Sequence, residues 1–324
     1  MRILVLLLLP VWLCSACTAL PAEERAFAVA LCVEKTAEEW HVHGRIPTYQ
    51  PGGGYMTVAG EGGSFSAALA DMDAASPMRI NLSQLRLLAV DVSLAESGGL
   101  LNLLTTLSNR RDMRMQCAVA LTDEPLQSVA EALKPAAGTR LSKALDLMLN
   151  ARMEQGSILP ATLSDVLRLG ERQSPILIAL AMAEGDVSLS GGYTADGVYL
   201  SVDETALLSL LLGHAKTLRI EVTEGSAEVR DAAVKVCLDE DLARVELTLT
   251  ATASSLTQEA LEQGLADSIL GLLTRLSTAG CDVLGLGRQA AMHTHDVTQW
   301  QTLNWPEKYR DIRWQVSVGV SGPA

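Results

Sequence analysis

Aromatic residues are scarce in this chain: phenylalanine, tyrosine and tryptophan make up 4% of 324 residues, and only two are Phe. Surfaces on which bases or sugar rings stack are correspondingly few. Positive charge is the second shortage. Lys and Arg number 25 against 38 Asp and Glu, giving a net charge of −13 and a pI near 4.9. That balance argues against phosphate-backbone binding as the main task, so no nucleic-acid partner is expected. No G-x-S-x-G, S-x-x-K or H-E-x-x-H occurs, so hydrolase chemistry has neither nucleophile nor metal to rest on, and an enzyme is not expected. Beyond residue 17 there is no C-x-x-C pair, which removes zinc knuckles and thioredoxin-type redox sites.

What is present is an apolar, foldable chain. Hydrophobic residues are 48% and charged residues 19%, which excludes intrinsic disorder, and a prior of about 150 residues per domain suggests two domains. The N-terminus carries Arg2, an apolar run from Ile3 to Leu13 interrupted by Pro10, then Ser15, Ala16 and Cys17. This reads as a secretory signal peptide over residues 1–16, because the run is shorter than the ~18 residues needed to span a bilayer. Small residues directly before a cysteine resemble a bacterial lipobox, with cleavage after Ala16 and diacylation of Cys17; Cys14 stands where such motifs usually hold Leu. A permanent transmembrane helix, or plain signal cleavage with a soluble product, are the competing readings. Cys32, Cys117, Cys237 and Cys281 remain in the exported part. They allow two disulfides by arithmetic, but Cys32, Cys117 and Cys237 lie in apolar strand-like runs, where a free thiol is a small core group.

The periodicity predicts an α+β, multidomain chain: an N-terminal mixed α/β region over 17–174, then an antiparallel sheet packed on a long helix over 175–324. Ala26 to Val33 and Thr36 to Ile46 read as a β-hairpin, with His41, His43 and Arg45 on its polar face. Ser64 caps a helix that Pro77 stops, and alternating strands and helices follow to Glu171. At Pro175 the texture becomes strand-rich, and the second domain is expected to begin there. Asp203 is expected to cap a helix ending at Gly213, and Ser255 with Gln258 to cap the long helix Gln258 to Thr278. Leu261, Leu265, Ile269, Leu272, Leu273 and Leu276 form one apolar stripe along it. The chain closes with a strand whose Trp314, Val316, Val318 and Val320 share a face.

Candidate chemistry is thin. Gly285, Gly287 and Ala290 match the letters of a dinucleotide fingerprint, but a long helix precedes them instead of a buried strand, so a glycine-hinged turn is expected. The pairs His41/His43 and His293/His295 have zinc-compatible spacing without a nearby acidic ligand and read as solvated faces, so no metal and no cofactor is expected. Asp71, Asp73 and the Asp239 to Asp241 cluster read as a solvated helix face and a hairpin tip. Trp305 and Trp314 are expected under the long helix. Trp300, between Gln299 and Gln301, is the candidate partner surface.

The C-terminal third carries a resemblance. Cys281 to Ala290, CDVLGLGRQA, resembles the Asp-Pro-Phe-Gly-Leu-Gly stretch of the Ger(x)C family, the lipoprotein C-subunits of spore-germination nutrient receptors, with Val283 and Leu284 in place of Pro and Phe. Trp300, Trp305, Tyr309 and Trp314, then QVSVGVSG, resemble that family's tryptophan segment and closing strand. Cys17, Glu34, the group Arg111, Asp112 and Arg114, and the stretch Leu189 to Gly213 extend it along the exported chain. The resemblance implies a non-enzymatic lipoprotein, anchored through acylated Cys17 to the outer face of the spore inner membrane (the cell membrane during sporulation), acting with A- and B-type membrane subunits. An exported ligand-binding or envelope-scaffold lipoprotein is the alternative.

Overall fold

The computed structural model describes residues 24–48, 54–135, 138–169, 173–215, 217–222, 225–253, 257–294 and 296–321. Its strands are β1 (Arg25–Phe27), β2 (Ala30–Lys35), β3 (Trp40–Pro47), β4 (Tyr55–Gly62), β5 (Arg79–Asn81), β6 (Leu87–Asp91), β7 (Ala118–Thr122), β8 (Ile176–Ala183), β9 (Asp186–Thr194), β10 (Tyr199–Leu200), β11 (Thr217–Val222), β12 (Gly225–Asp239), β13 (Leu242–Ala253) and β14 (Arg313–Ser321). Eight of them form one sheet in the order β10-β9-β8-β7-β6-β2-β3-β4. Its centre, β2, β6, β7 and β8, is parallel, and the flanking pairs are antiparallel. The central strands are near-continuous apolar runs, as a sheet covered on both faces requires. Leu31, Val33, Leu88, Val90, Val119 and Leu121 enter one core, and Ala30, Cys32, Leu87, Ala89 and Ala120 enter the core on the opposite face. The helix Phe65–Ala75, capped by Ser64 Oγ accepting from the Ala67 N–H at 3.2 Å, presses on β4. A Cβ at Gly60 would stand 2.2 Å from the Met72 backbone nitrogen, so only glycine permits this approach.

The second sheet runs β11-β12-β13-β14 and is covered by the long helix Gln258–Thr278. The expected stripe is buried in full, from Leu261 to Leu276. Each such side chain contributes about 1.5–3 kcal/mol on leaving water. Trp314, Val316, Val318 and Val320 pack together against this core, as the alternation predicts.

Several expectations are corrected. The strand-rich stretch after Pro175 does not open a new sheet: β8 pairs in parallel with β7, and β9 and β10 extend the first sheet, so the sheets change only after Leu200. The second sheet is not wholly antiparallel, because the long helix returns the chain to lay β14 parallel to β13. The helix Val202–Leu211 is capped by Ser201 rather than Asp203, with Glu204 completing a capping box. Thr257 caps the long helix, accepting from the Ala260 N–H at 3.2 Å; Ser255 lies outside the described residues. Cys237 is exposed, whereas Cys32, Cys117 and Cys281 are buried free thiols. His43 is buried, not solvated, with no partner for Nδ1 among the described residues, and burial lowers its pKa.

Candidate functional site

The motif Cys281–Gly287 lies where the two sheets meet. The long helix ends at Thr278, and the short helix Leu286–Met292 begins after Gly285, which adopts φ +70°. The turn therefore hinges on a left-handed glycine, as expected. Asp282, only 7% exposed, fills the turn. Its carboxylate accepts the Leu286 N–H at 2.9 Å, the Gly287 N–H at 2.6 Å and the Trp305 indole N–H at 3.1 Å. Two of these are helix-terminal amides that would otherwise be orphaned. Burial pushes the Asp282 carboxyl above the usual carboxylate range, with the hydrogen bonds opposing the shift.

The backbone of the same turn grips the first sheet's segment. The Ser174 N–H donates to the Asp282 carbonyl at 2.9 Å, and Gln173 Nε2 donates to the Val283 carbonyl at 2.7 Å. The Cys281 thiol lies 3.5 Å from both Thr194 Oγ1 and Asp196 Oδ2 beside the end of β9. Nearby, Arg275 of the long helix donates to the Tyr199 carbonyl at 3.2 Å and to Glu204 at 2.5 Å. One side of the motif thus pins the first sheet and the other pins the aromatic segment.

That segment is a row of rings. Trp300 lies on the helix Val297–Leu303, Trp305 and Tyr309 on the helix Trp305–Arg310, and Trp314 on β14. Trp300 stacks on Trp305 at 6.3 Å, Trp305 meets Tyr309 at 5.8 Å, and Tyr309 meets Trp314 edge-on at 6.3 Å. Trp305 and Tyr309 are buried. Trp314 is half-buried and donates its indole N–H to Ser277 of the long helix at 3.2 Å. Trp300 is half-buried too, so one side of its ring is committed to Trp305 and does not stand free. Exposed Val297, one helical turn before it, and Met292 leave apolar surface beside the row.

The carboxylate is occupied by three donors. The arrangement positions and joins elements. His41 lies 3.8 Å from Glu61, His295 is outside the described residues, and no group of three or more His, Cys, Asp or Glu among the described residues is placed to hold a metal ion. Cys17 and Ala16 also fall outside the described residues. Sequence reasoning quoted Asp282 within its motif without assigning it a role; the signal was an acidic residue four and five positions before the first amides of a predicted helix.

Residues 19–182, half of the chain, match the family model of the spore germination protein N-terminal domain. The chain belongs to the Ger(x)C family of spore-germination proteins, the germination-receptor C-subunits. Among solved structures, that of the GerBC protein is similar with a TM-score of 0.54 over 90% of this chain and 97% of that chain, at 13% identity. At that identity the likeness is one of fold. No curated protein matches the sequence. In this Ger(x)C protein the Asp282 turn lies beyond the matched residues 19–182, so its role rests on its own geometry.

Proposed function

We propose that the protein is a membrane-anchored, non-enzymatic lipoprotein subunit of a spore germinant receptor, working through contacts with A- and B-type membrane subunits. Family membership over residues 19–182 carries this reading. No helix among the described residues is long and apolar enough to cross a membrane. In this reading the hold on the bilayer therefore falls to acylated Cys17 behind the leader, on the outer face of the spore inner membrane. Each buried methylene of an acyl chain contributes about 0.8 kcal/mol, so two chains give a stable anchor where one does not.

The partner surface in this reading is the apolar patch of Met292, Val297 and the open side of Trp300, which the Asp282 turn holds against the rest of the fold. Replacing Cys17 with Ala is expected to release the protein from membranes and to remove the lipid mass from its N-terminus. Full membrane retention of Cys17→Ala, with no lipid mass on the wild-type N-terminus, contradicts the anchor.

A further inference from the structure

A cleft of ≈ 960 Å³ opens between the helix Phe65–Ala75, β5 and the turn after the helix Leu100–Ser108. Its chemistry is unlike the rest of the chain. Four arginines line it, Arg25, Arg79, Arg110 and Arg111, against two carboxylates, Asp73 and Asp112, in a protein whose net charge is −13. The carboxylates are partly spent already. Asp112 takes both an Arg110 contact at 3.0 Å and the Leu82 N–H at 3.3 Å, and Asp73 accepts the Ile80 N–H at 2.7 Å while standing 3.9 Å from Arg79. Arg111 is exposed and makes no ion pair among the described residues.

The pairing of β1 with β5 sharpens this. The two strands run parallel with Arg25 and Arg79 as register partners, which sets two positive side chains next to each other. Beneath the arginines the cleft has an apolar floor that includes Phe65, Leu69 and Ile80. Planar guanidinium groups suit bidentate recognition of phosphate, and an apolar floor suits the carbon skeleton attached to it.

We propose that this cleft binds the phosphodiester headgroup of an anionic membrane lipid and so orients the first sheet's module on the bilayer. The position of Arg25 selects the lipid over other anions. It is eight residues from Cys17, a reach of at most about 28 Å for extended chain. A strongly acidic protein tethered that close to an anionic surface is repelled except where its own charge reverses, and charges act there over about 8 Å at physiological salt. That distance rests on the anchor reading above, whereas vesicle binding by the cleft does not.

The test uses the chain from Thr18 onward, which carries every described residue and no acylation site. Sedimentation with phosphatidylglycerol vesicles is expected to retain it, and phosphatidylcholine vesicles are not. Arg79→Gln and Arg111→Gln are each expected to weaken retention about fivefold, and the pair more than tenfold. The melting temperature should stay unchanged, since both side chains are exposed. Arg230→Gln, at a surface ion pair with Glu228 on the second sheet, should bind as the wild type does. Equal retention on both vesicle types, or retention indifferent to the cleft arginines, overturns the proposal. So does protection by inorganic phosphate, or binding of an oligoglutamate peptide, without vesicle binding: either assigns the cleft to a soluble anion or an acidic partner segment. Loss of membrane retention in Cys17→Ala cells bears on the anchor alone and leaves these outcomes unaffected.

Discussion

The indole N–H of Trp305 donates to the carboxylate of Asp282 at 3.1 Å across twenty-three residues of chain, and the same carboxylate caps the helix that follows its own turn. Removing it orphans three donors at once. Asp282→Ala is expected to cost about 3 kcal/mol or more, since each buried unsatisfied group costs about 1–3 kcal/mol. Urea denaturation followed by tryptophan fluorescence measures it. A loss below about 1 kcal/mol shows the turn is held by other contacts.

Glycine at 287 is required by the same contact. A Cβ there would meet Trp305 Nε1 at 2.6 Å. Gly287→Ala is expected to displace the indole, costing about 1–3 kcal/mol and shifting tryptophan emission to the red. Gly271, in the middle of the long helix with open space around it, is expected to behave oppositely: Gly271→Ala raises stability by about 0.4–1 kcal/mol.

The aromatic row predicts a gradient. Trp305→Ala should cost about 3–5 kcal/mol as a buried aromatic truncation. Trp300→Ala should cost about 0.5–1.5 kcal/mol, the worth of one stacked pair at a half-buried site. Equal, large losses from thermal melts of both would place Trp300 wholly in the core and move the partner surface elsewhere.

Thiol chemistry separates Cys32, Cys117, Cys237 and Cys281. Burial pushes Cys32 and Cys117 up to about 12 and Cys281 up to about 11, while Cys237 is exposed. At pH 8 a disulfide reagent should label one thiol, Cys237, quickly, and the other three only on unfolding. Alkali gives the complementary test. Unfolded thiols ionise near 8.5 and the folded pair only near 12, so their contribution is complete below about pH 8.5 and is lost as pH rises between those values. The slope for Cys32 and Cys117 together is about 2.7 kcal/mol per pH unit. Urea midpoints of a Cys32→Ala/Cys117→Ala double variant should fall less steeply above pH 9; identical slopes refute the assignment.

Local pattern made much of this fold legible, and pairing made the rest illegible. Ser64, the stripe from Leu261 to Leu276 and the alternation from Trp314 to Val320 each express a period or a cap that adjacent residues carry in full. The exposure of Cys237 was readable as well: in Lys235-Val236-Cys237-Leu238-Asp239 the thiol shares the parity of the charged residues, and the apolar appearance of the run hid it. The partner of β8 and the direction of β14 were not readable, because each depends on a strand or helix tens of residues away. The arginine cleft was hidden for the same reason, since only the β1–β5 pairing brings Arg25 beside Arg79. The aromatic segment was legible as a family resemblance, while its link to Asp282 needed the folded turn.

The most direct test of the receptor-subunit reading is affinity purification of the full chain, tagged at its C-terminus, from detergent-solubilised spore inner membranes, with mass spectrometry of what accompanies it. The account predicts recovery of two polytopic subunits of A- and B-type with the wild type, and their loss with Trp300→Ala combined with Val297→Ser in a protein that still melts cooperatively. Recovery of the membrane-bound protein alone, from membranes in which both subunits are detected, contradicts it.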